Sequence, residues 1–478
     1  MKFPHPLSLL FVCILIAAGL TWVLPAGQYE RHEDEATGRS VVTAGSYRVT
    51  EGHPMGPVDA LVAIPKGMAD AGSVIFFVFL IGGAFTVVDK TGALRSLVDT
   101  LVTRSRGRGL LVIPVVAVLF AVLGALENMQ EEIIALIPVL LLLTRRLNLD
   151  PLVAVAISAG SAAVGASFSP LNPFQVLIAQ KLAQLQPGSG AAFRTFFLLI
   201  AVGFWIAATM RYASRTRGPE SPTADGEWEA APLEGRNLLI LATVAMSFGI
   251  FVVGIMNFHW DFDQLSAPFV AMGIVAGLVG GLGVSGTATA FAEGFASMAS
   301  AAMLIGTARA ISVVLEQGRV IDTLVSSLVA PLESLPSYAS ALGMMLLHVG
   351  VHVPVPSVSG QAALTMPVLI PVGDLVSIPR QAVVLAYQYG AGLTDVVTPT
   401  NGGMMAVLAA ASVPFEKWIR FALPLFGALL VLGGVAVAAA RRLASQIMSR
   451  WQQGEPANAK IAFQGHPELR QYRSIAMN

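Results

Sequence analysis

An apolar stretch over residues 110–143 is cut by Leu126-Glu127-Asn128-Met129-Gln130-Glu131-Glu132, which places three carboxylates within six residues. Arg104, Arg106 and Arg108 close the stretch on one side, and Arg145 and Arg146 on the other. A helix needs about 20 apolar residues to cross a bilayer, and neither 110–125 nor 133–143 is that long. Two half-length helices joined by a polar tip read as a re-entrant hairpin. Carboxylates at membrane depth are costly and mark functional positions, so Glu127, Asn128, Gln130, Glu131 and Glu132 are candidate binding residues. The plainer reading is that Glu131 and Glu132 only cap the second arm, where acids favour a helix N-terminus, and that Glu127 pairs with a base.

The rest of the chain is of the same kind. Its 478 residues are 55% hydrophobic and 12% charged, with mean hydropathy +0.71, against about 25% charged in a soluble protein. The apolar segments are continuous and do not alternate with period two, which excludes an outer-membrane barrel. The expectation is an all-α polytopic membrane protein. Zero net charge gives no reason to expect nucleic acid. No His/Cys cluster has zinc spacing, and the single cysteine, Cys13, forms no intrachain disulfide. Residues 7–25 read as an uncleaved first helix, since Lys2 is the only early charge and no A-x-A site follows.

A second interruption falls inside a long helix expected over 151–184, at Ser167-Phe168-Ser169-Pro170-Leu171-Asn172-Pro173. Two prolines three residues apart remove backbone donors and force unwinding. Backbone freed at that depth must find other partners, whether neighbours, water, ion or substrate. Ser169 and Asn172 supply side-chain oxygens there. Residues 213–235 carry no apolar run and read as a cytoplasmic linker.

The chain then repeats itself. Pro138-Val139-Leu140 recurs as Pro367-Val368-Leu369, and Ser169-Pro170-Leu171-Asn172-Pro173 as Thr398-Pro399-Thr400-Asn401-Gly402. Both pairs lie 229 residues apart, 138 to 367 and 169 to 398, so duplication is the simplest account. The halves are expected at 1–212 and 236–440, followed by a polar tail over 441–478. The second hairpin is expected over about 338–371 with Ser357, Ser359 and Gln361 at its tip. The second broken helix is expected over about 380–411, with Asp395, Thr398, Thr400 and Asn401 at the break. Segment counting makes the second copy inverted, each half carrying a re-entrant hairpin and a broken helix. Such duplicated, discontinuous helices point to a secondary transporter. The same count puts the C-terminus outside, whereas Arg441, Arg442 and Arg450 favour the inside.

Leu20-Thr21-Trp22-Val23-Leu24-Pro25-Ala26-Gly27-Gln28-Tyr29 resembles the opening signature of the YfcC/DcuC-type carriers, the C4-dicarboxylate anaerobic carrier family. The resemblance continues through Gly45-Ser46-Tyr47, Ile81-Gly82-Gly83-Ala84-Phe85, Thr91-Gly92-Ala93-Leu94, Glu131-Glu132, Asn172-Pro173-Phe174, Ala179-Gln180, Ser189-Gly190, Arg194 and Thr398-Pro399-Thr400-Asn401-Gly402, ending near Pro414-Phe415-Glu416-Lys417-Trp418. It implies an inner-membrane carrier of the ion-transporter superfamily with an elevator-like inverted-repeat fold, and by analogy a homodimer among membrane lipid. The YfcC branch, associated with basic amino acids, is most similar. The sequence departs from the pattern before the second break. Gly390-Ala391-Gly392 lacks an acidic residue, and Asp395 adds one.

The acids Glu127, Glu131, Glu132 and Asp395 favour a cationic group, while Ser357, Ser359, Gln361, Thr398, Thr400 and Asn401 offer neutral hydrogen bonds. The expected substrate is an amino acid, basic or zwitterionic, with a C4-dicarboxylate as the alternative. Coupling is expected to Na⁺ or H⁺ or by exchange, with Na⁺ near Asn172 and Asn401, and with no cofactor. Arg309 either binds a substrate carboxylate or pairs with an acid. His348 and His352, one helical turn apart, either sense protons or pack. Two rivals from other classes are a channel and an intramembrane protease built on Gly283-Val284-Ser285-Gly286, a loop in this reading, with His348 as base.

Overall fold

A computed structural model describes residues 6–34, 39–104, 109–127, 130–218, 235–258 and 260–452. Nearly all of it is helical. The first half holds α1 (Pro6–Val23), α2 (Pro57–Asp70), α3 (Gly72–Lys90), α4 (Ala93–Arg104), α5 (Val112–Glu127), α6 (Glu131–Arg146), α7 (Pro151–Val155), α8 (Ser161–Ser167), α9 (Ile178–Leu182) and α10 (Ala191–Thr216). The second holds α11 (Gly235–Phe258), α12 (Phe262–Val279), α13 (Gly283–Gln317), α14 (Ile321–Val329), α15 (Ser337–His352), α16 (Val358–Leu375), α17 (Arg380–Thr394), α18 (Gly402–Ala410) and α19 (Phe415–Gln452). Two small antiparallel ribbons, pairing residues 27–28 with 48–49 and 31–34 with 39–42, occupy the loop after α1. Tyr29 N–H and the Arg31 guanidinium tie that loop to Asp322 on α14.

Helices α3, α10, α12, α13 and residues 415–443 of α19 are long and apolar enough to cross a membrane. The arms α5, α6 and α15, with 16 residues each, rise about 24 Å, short of the roughly 30 Å hydrocarbon core. The arms of the first hairpin diverge: α5 packs along α8 and α10, and α6 along α3 and α18. Helix α13 runs unbroken from Gly283 to Gln317. The Gly283–Gly286 string is therefore the first turn of a helix and not a loop, with Ser285 exposed and His348 buried elsewhere.

Both breaks form where the prolines fall. Between α7 and α8 the helix also widens by a π turn at Ala156–Gly160. The carbonyl of Ala156 accepts from Trp205 Nε1 (2.8 Å) and Ser161 Oγ (3.0 Å), a side-chain insertion of the kind that opens the helical ladder. After α8 the chain unwinds over 168–172 and re-enters a helix at Pro173. The second break lies between Thr394 and Gly402. The turns closing the two hairpins match as well. Asn148 and Ser377, again 229 residues apart, both sit at positive φ (54° and 57°).

Helix α19 relates the hairpins to each other. At its start Lys417 Nζ pairs with Asp150 Oδ2 (2.5 Å), just beyond the open end of the first hairpin. Further on, Arg441 Nε donates to Ser337 Oγ (2.9 Å), where the second hairpin begins. The 24 residues between them rise about 36 Å, so the two hairpins open at opposite ends of this helix. The helix continues past the expected end of the span at Ala440, as far as Gln452.

Candidate functional site

The second break, the tip of the first hairpin and the second hairpin meet in one buried chain of side chains. Its centre is Asp395, 2% exposed, at the end of α17. Asp395 Oδ2 accepts from Gln130 Nε2 (2.9 Å). Asp395 Oδ1 accepts from Asn401 Nδ2 and faces His352 Nε2 at 2.8 Å. Asn401 Nδ2 also donates to Gln130 Oε1 (2.9 Å). On the far side His352 Nδ1 lies 2.8 Å from Gln361 Oε1, and Gln361 Nε2 lies 2.9 Å from the His348 carbonyl and 3.1 Å from His348 Nδ1. His348, His352 and Gln361 are fully buried.

Two backbone anchors fix the polarity of this chain. The Met404 N–H can only donate, and it meets Asn401 Oδ1 at 2.9 Å, so Asn401 Nδ2 must be the donor to Gln130 and Asp395. Gln130 then accepts through Oε1 and donates to Asp395 through Nε2. The His348 carbonyl can only accept, so Gln361 Nε2 points at it and Gln361 Oε1 faces His352. His352 Nδ1 therefore carries a hydrogen. His348 Nδ1, facing an amide N–H, accepts, which leaves its hydrogen on Nε2. Among the described residues that nitrogen has no hydrogen-bond partner, and the ring lies edge-on to Tyr387 at 5.2 Å between centroids.

The sequence places α15 close enough to α17 for this by means of glycine. A Cβ on Gly390 would lie 2.4 Å from the Met345 carbonyl and 2.7 Å from His348 Cβ. Two residues on, a Cβ on Gly392 would meet Gln175 Oε1 at 2.7 Å and Ser167 Oγ at 2.8 Å. The segment that departs from the family pattern by lacking an acid is thus the seam where α17 touches both α15 and the first break.

The other candidate residues fall into three groups. Ser169 and Asn172 serve the backbone: Ser169 Oγ donates to Ala125 O (2.6 Å), Asn172 Nδ2 donates to Gly124 O (2.9 Å), and Asn172 Oδ1 caps the following turn by accepting from the N–H groups of Phe174 and Gln175. Thr398 and Thr400 bond each other at 2.7 Å, and Thr400 Oγ1 donates to Val353 O (2.6 Å), tying the second break to the second tip. Ser357 caps α16, accepting from Gly360 N–H at 3.3 Å, and is exposed; Ser359 is half-buried, and neither reaches Asp395. Glu132 Oε2 accepts from the Gln130 N–H (3.1 Å). Asn128 lies outside the described residues, and so do the side chains of Glu127 and Glu131.

Two charged features flank this network. Arg194, 1% exposed, donates to Gln388 Oε1 (3.1 Å), Gln381 Oε1 (3.1 Å) and Ser189 O (2.9 Å). Gln388 Nε2 in turn donates to Ser169 O (2.7 Å) at the first break. Beside the second tip, Arg31, Arg309, Arg319, Ser357 and Gly360 help line a cavity of about 510 Å³. Arg309 is paired there with Asp70 and, at 3.4 Å, with Glu316.

The sequence leaves His348 and His352 between sensing protons and packing; the structure puts His352 in direct contact with Asp395 and both rings against Gln361. The available signal was the helical-turn spacing of His348 and His352 beside Gln361.

The family profile of the C4-dicarboxylate anaerobic carriers matches residues 3–441. The chain is 30% identical over 488 residues to an Escherichia coli protein named "Putative basic amino acid antiporter YfcC", covering 92% of this chain and 96% of that one. It is 28% identical over 489 residues to an uncharacterized protein of Haemophilus influenzae, covering 91% and 96% respectively. Among solved structures, the YdaH transporter of Alcanivorax borkumensis aligns with 91% of this chain and 98% of its own at 18% identity and a TM-score of 0.43. The chain belongs to the C4-dicarboxylate anaerobic carrier family and is a multi-pass transporter of the bacterial inner membrane.

Proposed function

We propose that the protein is a secondary carrier of a small organic ion bearing an amine, a basic or zwitterionic amino acid, whose cationic group docks at Asp395. The observation that carries this reading is the placement of one buried carboxylate at a helix break, shared by both hairpins and oriented by two amides. Ionisable groups at membrane depth mark ion and substrate paths, and a carboxylate held by Gln130 and Asn401 is pre-set for an ammonium. The name of the E. coli relative, "Putative basic amino acid antiporter YfcC", agrees with this class of substrate. The hairpins opening at opposite ends of α19 support an inverted repeat and access from alternate sides.

A C4-dicarboxylate is the second reading. It is favoured by Arg31, Arg309 and Arg319 around the cavity beside the second tip and by the family's name. The two separate in proteoliposomes loaded with purified protein. Counterflow of L-lysine or L-arginine that outruns succinate supports the amine. Succinate counterflow with neither amino acid transported removes it.

A further inference from the structure

The fixed polarity of the buried chain has a counting consequence. His352 Nδ1 holds one hydrogen, aimed at Gln361 Oε1. The 2.8 Å contact between His352 Nε2 and Asp395 Oδ1 needs one more proton, because two lone pairs do not approach to that distance. That proton belongs to the pair, whether it rides on the ring as imidazolium against carboxylate or on the acid against a neutral ring. In both forms the pair is neutral as a unit, which fits a site with 2% exposure at Asp395 and none at His352. An ammonium added beside that unit would be an uncompensated buried charge. The proton must leave before the ammonium can take the carboxylate.

We propose that Asp395 is shared in turn between the His352 proton and the substrate amine, so that the carrier exchanges one proton for each amine cation. This rests on the reading of Asp395 as the amine's docking point. On binding, the ammonium forms its hydrogen bond to Asp395 as the proton of the pair passes to water. The ring stays neutral with its hydrogen on Nδ1, still donating to Gln361. On release, a proton from the other side restores the bond between His352 and Asp395. Charge at the site is conserved in each half of the cycle, and no Na⁺ is required.

Among the described residues, neutral groups surround the pair. From α15 comes His348, whose Nδ1 accepts from Gln361 and whose ring edge meets Tyr387 of α17. From α16 and the second break come the neutral Gln361 and Asn401. From the first hairpin come Gln130 and, one step out, Glu132 on the Gln130 N–H.

The test uses purified full-length protein in weak buffer with a pH-indicator dye, and L-arginine and L-lysine as probes. Saturating arginine is expected to release about one proton per molecule bound. His352→Gln presents an amide N–H to Asp395, so that this donor with Gln130 and Asn401 holds the ionised carboxylate without a bridging proton, and proton release per bound arginine should fall to near zero, whatever the residual affinity. Arginine bound by the wild type without proton release overturns the inference and leaves the amine reading standing. Release per bound arginine that is unchanged in His352→Gln overturns it equally. If neither amine binds, the substrate reading falls and the inference falls with it. Should His352→Gln fail to elute as a folded species, the wild-type release decides alone.

Discussion

His352 Nε2 and Asp395 Oδ1 meet at 2.8 Å, although 43 residues separate them and they lie on different helices. The contact depends on backbone proximity: α15 runs against α17 at Gly390, where even a methyl group would strike the Met345 carbonyl. The chemistry of the site and the packing that builds it can therefore be perturbed separately.

Asp395→Asn is isosteric but places an NH₂ among the donors Gln130 Nε2 and Asn401 Nδ2. One buried donor then faces another, a loss of about 1–3 kcal/mol for the unsatisfied group. The charge that meets the amine is gone as well. Arginine counterflow should drop to the level of empty liposomes while the protein still elutes as a single species. Counterflow near the wild-type rate would remove Asp395 from the binding role.

Gly390→Ala tests the seam. The added methyl overfills a contact made by backbone, and overpacking of this kind costs about 1–3 kcal/mol. The melting temperature in detergent should fall relative to Gly350→Ala on α15, where a Cβ meets nothing within 4 Å. Equal melting temperatures for the two variants would mean the helices sit further apart than described.

Arg309 distinguishes pairing from substrate binding. Its partner groups are half exposed, with 36% of the Arg309 side chain and 48% of Asp70 accessible, and exposed ion pairs contribute about 0–1 kcal/mol. Arg309→Gln should leave the melting temperature close to wild type and arginine counterflow within about threefold, a change under 1 kcal/mol. A severe loss of succinate transport in this variant, with succinate carried by the wild type, would instead favour the dicarboxylate reading.

The opposed hairpin mouths can be labelled directly. Cys13 is the only cysteine, so Cys13→Ala gives a clean background for Arg145→Cys and Ser377→Cys, both at exposed positions. A membrane-impermeant maleimide should reach one in intact cells and the other only in inverted vesicles. Labelling of both from the same side would contradict the inverted arrangement.

Much of this architecture was legible in the sequence because membrane constraints are severe. Half-length apolar arms, prolines inside a helix and a constant 229-residue offset each admit few structures, and the chain does unwind over 168–172 and between Thr394 and Gly402. The contents of the site were less legible. The acidic tip points to Glu127, Glu131 and Glu132, yet among its described side chains the one that reaches Asp395 is the neutral Gln130. Glu132 does cap locally, as the plainer reading allowed. His348 and His352 share a helix face within an apolar segment, a spacing that packing and catalysis produce alike. Only the approach of α17 separates those cases, and it is set by Gly390, whose meaning depends on a neighbour about 45 residues earlier in the chain. The matched positions also diverge: Asn172 is spent on the backbone, whereas its counterpart Asn401 holds Asp395.

The clamps on α19 bear on what counts as a folding unit. Its start is pinned to Asp150 of the first half and its later turns to Ser337 of the second, while α13 of the second half is wrapped by α2 and α3 of the first. Each half thus supplies a surface that the other needs to bury. A chain cut within residues 219–234 would therefore yield two fragments expected to reach their native state only by assembling with each other.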